Sequence, residues 1–185
     1  HLPVSGMLGL GAMLIALGIG VPLGVLAALK QNSKWDYLSM GVAIFGVSVP
    51  SIVLSPLLIV VFALGLHWFP VAGWGRLNQA VMPALALGLG SSAIIARLTR
   101  ASMLQVIRED YIRTARAKGL GERTVVIRHA LKNAFIPVAT ILGPMFAALV
   151  TGTFVVEKIF GIPGMGKYYI TSIGDRDIPV LMGTT

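Results

Sequence analysis

The chain has 185 residues, 56% of them hydrophobic and only 12% charged, with a mean hydropathy of +0.84 and a formal net charge of +8. A soluble domain carries about 25% charged residues, so this composition excludes an ordinary water-soluble fold and places the chain among membrane proteins. The lack of cysteine excludes disulfides and thiolate metal sites, and His1, His67 and His129 are too scattered to form a metal-ligand spacing.

Four runs are long enough to cross a bilayer, which takes about 20 apolar residues at a rise of about 1.5 Å each. The first covers residues 2–29, with no charge before Lys30. The second, 38–66, contains Pro50 and Pro56; the third, 80–96, has Pro83 near its start; the fourth, 134–156, contains Pro137 and Pro144. None alternates polar and apolar residues as a barrel strand would, and backbone groups in hydrocarbon need internal partners. The expected fold class is therefore all-α, an integral membrane helical bundle. The chain opens on His1-Leu2-Pro3 without a methionine or a recognisable signal peptide, and 178–185 begins a further apolar run. Both ends read as cut, so the sequence is expected to be the interior of a longer membrane protein.

Loop charge sets the orientation. The 30–37 loop holds Lys30 and Lys34. The 97–133 connection holds Arg97, Arg100, Arg108, Arg113, Arg116, Lys118, Arg123, Arg128 and Lys132. The opposite side holds only Arg76, Lys158, Lys167 and Arg176. The richer side, with 97–133, is expected to be cytoplasmic. Glycines crowd the spans, and Gly20-xxx-Gly24 has the small-xxx-small spacing that lets helices approach closely; general helix packing is favoured over a dedicated dimer motif. The prolines of "VSVPSIVLSP" mark either a kink used in gating or ordinary membrane-helix proline. No charge falls inside the four spans, which argues against an ion-coupled transporter.

The stretch "SMLQVIREDYIRTARAK" at 102–118 is amphipathic, with Met103, Ile107, Tyr111 and Ala115 recurring every four residues, Leu104 and Ile112 beside them, and Ser102 as its expected N-cap. Gly119 stands where a left-handed residue would end that helix. A second helical arm is expected from Glu122 to about Lys132. Such an element suits anionic lipid, nucleic acid, for which no stacking series is present, or a protein groove; positive-inside topology alone also accounts for its charge. Ala115, Ala117, Gly119 and Gly121 leave the turn sterically bare. That feature favours docking of another protein.

"YIRTARAKGLGERTVVIRHALKNAFIPV" resembles the cytoplasmic loop of bacterial ABC-importer permeases of the oligopeptide/dipeptide class, in the "RTARAKGL" core (113–120), "RHALKNA" (128–134) and Pro137. "AALKQNSKWDY", "SVPSIVLSPLLI", "ARLTRASMLQV" and "VVEKIFGIPGMGK" match in order along nearly the whole chain. The resemblance implies a type I importer permease fold, in which the loop is the coupling helix-turn-helix that enters a cleft on an ATP-hydrolysing subunit. The docking residues it implies are Thr114, Ala115, Arg116, Ala117, Lys118, Gly119, Leu120 and Gly121, with Arg113, Arg116 and Lys118 as rim charges. In the broader superfamily the loop begins Glu-Ala-Ala and ends in Pro; here those positions fall on Arg113, Thr114, Ala115 and about Lys132, the peptide-class variant. The implied partners are a second homologous permease subunit, two cytoplasmic ATP-binding subunits, an extracytoplasmic substrate-binding protein and the lipid bilayer, with no nucleic acid.

No phosphate-binding G-x-x-x-x-G-K-[ST] loop is present, so ATP would be bound and hydrolysed by partner subunits and the chain itself is expected to be no enzyme and to hold no cofactor or metal. Residues 157–177, with Gly161, Pro163, Gly164 and Gly166, are expected to form an irregular or amphipathic outward-side segment, which the resemblance places near the translocation path and which could equally be a surface turn. A secondary transporter or channel, and a membrane scaffold with a lipid-binding loop, are the alternative readings. Dipeptide, oligopeptide, nickel and glycan substrates all stay open.

Overall fold

The computed structural model describes residues 1–176, 178, 179 and 182, and its regular structure is entirely helical, with no strand among them. Helix α1 (Leu2–Leu29) accommodates Pro3 in its first turn, where a missing N–H costs nothing. A short turn with Asn32 at φ 60° leads to α2 (Lys34–Ser48).

Pro50 ends α2. It offers no N–H, and its ring holds Val49 in extended backbone, φ −99° and ψ 112°. A new helix, α3 (Ser51–Leu58), starts at once, the Pro50 carbonyl accepting the Val53 and Leu54 N–H groups at 2.9 Å, and continues as a π-helical segment, Ile59–Gly65. The two halves meet at a 100° bend. The run read as 38–66 is thus two helices, the first beginning at Lys34.

Helix α4 (Leu77–Val106) is the longest element at 30 residues. The Gln79 side chain reaches back to accept the Arg76 N–H at 3.0 Å, and the helix runs past Ala96 through Arg97 and Arg100. Ser102, expected to open an amphipathic helix, lies buried inside α4, because Thr99, Ser102 and Met103 extend the face that Ala93 and Ala96 begin. The chain breaks later, at 107–109, before α5 (Asp110–Ala117). The return arm consists of α6 (Glu122–Thr124), a π-helical stretch Val125–Ala130 and α7 (Leu131–Ala134). It leads into α8 (Ile136–Thr151), then α9 (Phe154–Ile159) and α10 (Gly166–Asp175). Among the described residues, three helical stretches, Leu2–Leu29, Leu77–Val106 and Ile136–Ile159, are long and apolar enough to cross a membrane, and the bent α2–α3 pair makes a fourth when taken as one span. Residue 177 and most of the further run expected at 178–185 lie outside the described residues.

α1 and α4 form the spine. Their backbones touch: a Cβ on Gly20 would lie 2.5 Å from the Ser92 carbonyl oxygen, one on Gly24 2.6 Å from that of Ala96, and one on Gly88 2.5 Å from that of Ala12. The Gly20/Gly24 pair is therefore used inside the chain. Ala16, Ile95 and Val138 bring α8 against this spine in one buried cluster.

Candidate functional site

α5 stands beyond the end of α4 with one apolar edge turned inward. Ile112 and Ala115 are buried against Ala28 of α1, Met103 of α4, and Val125, Val126, Ala130 and Ala134 of the return arm. The helix ends as a Schellman motif. Gly119, at φ 78°, donates its N–H to the Arg116 carbonyl at 2.9 Å, and the Leu120 N–H points at the Ala115 carbonyl at 3.4 Å. Only glycine takes that φ without strain, so the expected left-handed turn is present.

Two side-chain ties brace the hairpin. The Arg116 guanidinium grips the Glu122 carboxylate across the turn, Nε to Oε2 at 3.1 Å and Nη2 to Oε1 at 2.7 Å. At the base, Asn133 Nδ2 donates to the Tyr111 hydroxyl at 2.7 Å. Arg116, expected as a rim charge, is thus a strap within the hairpin, while Arg113 reaches only Asp110, at 3.5 Å and exposed.

Of the residues expected to dock a partner, Thr114, Arg116, Ala117, Lys118, Gly119, Leu120 and Gly121 are exposed. Ala115 is not; at 6% exposure it faces the chain's own core, so the close approach it permits is internal. A Cβ on Gly119 or Gly121 would meet nothing within 4 Å. Gly119 is needed for its backbone, whereas Gly121 has φ −62° and ψ 143°, a conformation open to any residue.

The Arg116–Glu122 pair carries a pH signature. Arg116 donors hold the Glu122 carboxyl below its ordinary value of 4.5, burial opposing weakly, and Arg116 is raised in turn. A depressed carboxylate contributes stability that is complete above its unfolded value and is lost as pH falls through the folded one. An exposed pair is worth at most about 1 kcal/mol. Amide exchange at 117–122, corrected for intrinsic rate, is expected to be constant from neutral pH down to mildly acidic pH and to quicken on further acidification; Glu122→Gln should remove that step.

Two buried polar clusters escaped the sequence reading. Asp36 at the start of α2, 3% exposed, receives Arg100 of α4 through Nε at 2.7 Å and Nη2 at 2.6 Å. At the other end, Glu157 of α9 is fully buried and accepts the Ser5 hydroxyl at 2.5 Å and the Gly166 N–H at 2.7 Å. Its carboxylate fills the space that a Cβ on Gly164 or Gly166 would need, which explains both glycines of "IPGMGK". The Ser5 oxygen also accepts the Met165 N–H at 3.0 Å, so the 160–165 turn is folded back onto the start of α1. The available signal was an acid at the edge of an apolar run, Asp36 just before 38–66 and Glu157 just after 134–156. Among the described residues, no cluster of His, Asp and Glu could hold a metal ion.

The family described as "Binding-protein-dependent transport system inner membrane component" matches residues 20–185. Dipeptide transport system permease protein DppB of Bacillus subtilis is 52% identical over 183 residues, covering 99% of this chain and 59% of that protein. Oligopeptide transport system permease protein OppB of Escherichia coli K12 is 48% identical over 185 residues, covering 99% and 60%. The chain thus spans about three-fifths of the length of these curated relatives. Among solved structures, that of an amino acid ABC transporter with histidines superposes with a TM-score of 0.61 at 20% identity, covering 99% of this chain and 84% of that one; this likeness concerns the fold alone.

Proposed function

The chain belongs to the family of binding-protein-dependent transport system inner membrane components, and from that membership we propose that it is the membrane-spanning subunit of an ATP-driven importer of peptides or similar small solutes. It forms half of the translocation pathway beside a second homologous permease subunit, receives solute from an extracytoplasmic binding protein, and is driven by two cytoplasmic ATP-binding subunits. The relatives named for dipeptide and oligopeptide transport support peptides as the cargo class. The excess of Lys and Arg in 97–133 supports a cytoplasmic position for the hairpin.

The observation that carries this reading is the division of α5 into an inward edge and an outward turn. Ile112 and Ala115 join α5 to α1 and α4, while 116–121 project with nothing over them. A partner that grips the turn therefore moves α4. ATP-driven closure of the partner subunits, by contacting the turn differently in their open and closed states, shifts the permease between inward- and outward-facing forms.

Gly121 provides the test. Its backbone suits any residue and its Cβ would project into open space, so Gly121→Trp should leave insertion and permease pairing intact. In proteoliposomes holding the whole transporter, uptake is expected to fall at least tenfold, with loss of the ATPase subunits or of their stimulation by the binding protein. Wild-type coupling in this variant would overturn the docking assignment. Gly119 is a poorer probe, since any side chain there carries a strain of about 1–2 kcal/mol whatever docks.

A further inference from the structure

The α2–α3 break borders a cavity of about 340 Å³, lined by Val47, Val49 and Ser51 at the break, Gly90 and Ser91 of α4, and Ala148 of α8 among others. Its depth follows from the helices around it. Gly90 and Ser91 lie at the midpoint of Leu77–Val106, and Ala148 at that of Ile136–Ile159. Val47 stands about 20 Å along α2 from Lys34 at the usual rise, well inside a hydrocarbon core about 30 Å thick.

The break leaves main-chain groups unused at that depth. Pro50 has no N–H for the Gly46 carbonyl, and the N–H groups of Val49, Ser51 and Ile52 make no hydrogen bond among the described residues. The Val47 and Ser48 carbonyls accordingly lack their usual donors four residues on. The Gly46 carbonyl oxygen faces Gly90, 3.7 Å from where a Cβ there would sit. The hydroxyls of Ser51 and Ser91 likewise have no partner among the described residues. Lipid cannot satisfy such groups, and irregular backbone survives at membrane depth only against protein or a polar-filled cavity. Among the described residues, no charged one lines this cavity.

Resting on the importer reading, we propose that this cavity is a solute contact site in the translocation path that holds a peptide by its amide backbone. The free Val47 carbonyl, the free N–H groups of Val49 and Ser51 and the hydroxyls of Ser51 and Ser91, all on residues that line the cavity, match the alternating donors and acceptors of a polyamide. The remaining wall, with Leu87 and Leu149, is apolar and makes no demand on side-chain charge, so the site tolerates varied peptide sequences.

The chain has no cysteine, so S91C, in a subunit whose remaining segments are made cysteine-free, places a single thiol in the cavity. In the complete membrane complex with cysteine-free partner subunits and without the binding protein, saturating trialanine is expected to slow maleimide labelling of that thiol at least fivefold. Backbone N-methylated trialanine should protect far less. Ser91→Leu, which fills the cavity, should cut ATP-driven uptake of tritiated trialanine at least tenfold in a complex that still assembles. Equal labelling with and without trialanine, equal protection by the N-methylated peptide, or wild-type uptake by an assembled Ser91→Leu complex would overturn the cavity assignment alone. Absence of ATP-driven peptide uptake by the wild-type transporter would overturn the importer reading beneath it.

Discussion

Gly20→Val is expected to yield little or no assembled transporter, whereas Gly18→Val should be recovered at wild-type levels. A Cβ on Gly20 would sit 2.5 Å from the Ser92 carbonyl oxygen and 2.8 Å from Ile95 Cβ, and one turn on, Gly24 is as tightly placed against Ala96 and Thr99. Main-chain oxygen cannot rotate aside, so α1 and α4 must separate along the seam. Overpacking typically costs about 1–3 kcal/mol where side chains can yield. Here the backbone must move, and close packing is itself what associates helices in lipid, so the loss should reach or pass the upper figure. Gly18 has nothing within 4 Å of its would-be Cβ. Recovery of assembled complex by size exclusion, and its thermal midpoint in detergent, would read the difference; equal behaviour of the two variants would refute the seam.

Much of this fold was legible because membrane helices announce themselves by length and apolarity, and Gly119 was legible because its turn demands a left-handed residue. What was hidden has physical causes. Apolar runs carry Pro22, Pro50, Pro56, Pro83 and Pro144, yet only Pro50 marks the 100° break, while the other four lie inside helices; neighbouring helices decide which proline bends a membrane helix. The apolar stripe through Met103, Ile107 and Ala115, with Leu104 and Ile112 beside it, faces the core as its period predicts, and only Tyr111 departs from it, because the helix stops at 107–109 and its phase resets. The glycines look alike in sequence but serve different ends. Gly20, Gly24 and Gly88 admit a neighbouring backbone, Gly164 and Gly166 admit the Glu157 carboxylate, and Gly119 admits a conformation. Gly121 does none of these among the described residues, and the space beside it is open.

Asp36→Ala is expected to destabilise the chain by about 3 kcal/mol, the lower end of the 3–5 kcal/mol for stripping one partner from a buried ion pair. The lower end applies because the Arg100 side chain keeps 28% of its exposure while that of Asp36 keeps 4%. Both carboxylate oxygens are engaged: Oδ1 accepts Arg100 Nε, and Oδ2 accepts Arg100 Nη2 and the Asn32 N–H at 2.9 Å. The same group therefore binds α2 to α4 and steadies the turn in which Asn32 holds a left-handed φ. Arg100→Ala should cost at least as much, since it leaves the more deeply buried charge alone. Replacing both at once, Asp36→Leu with Arg100→Met, should recover most of the loss, because no charge is then left without a counterpart. Thermal midpoints of the four chains in detergent form a double-mutant cycle; strict additivity would remove the ion pair from the account. Transport separates stability from coupling. Arg100 stands two turns before the end of the helix that leads into α5, so the pair clamps α2 to the part of α4 nearest the hairpin. On the proposed importer function, a transporter carrying the folded apolar double variant should hydrolyse ATP in its partner subunits with reduced uptake per ATP, since motion delivered to α4 would reach α2 and its break less completely.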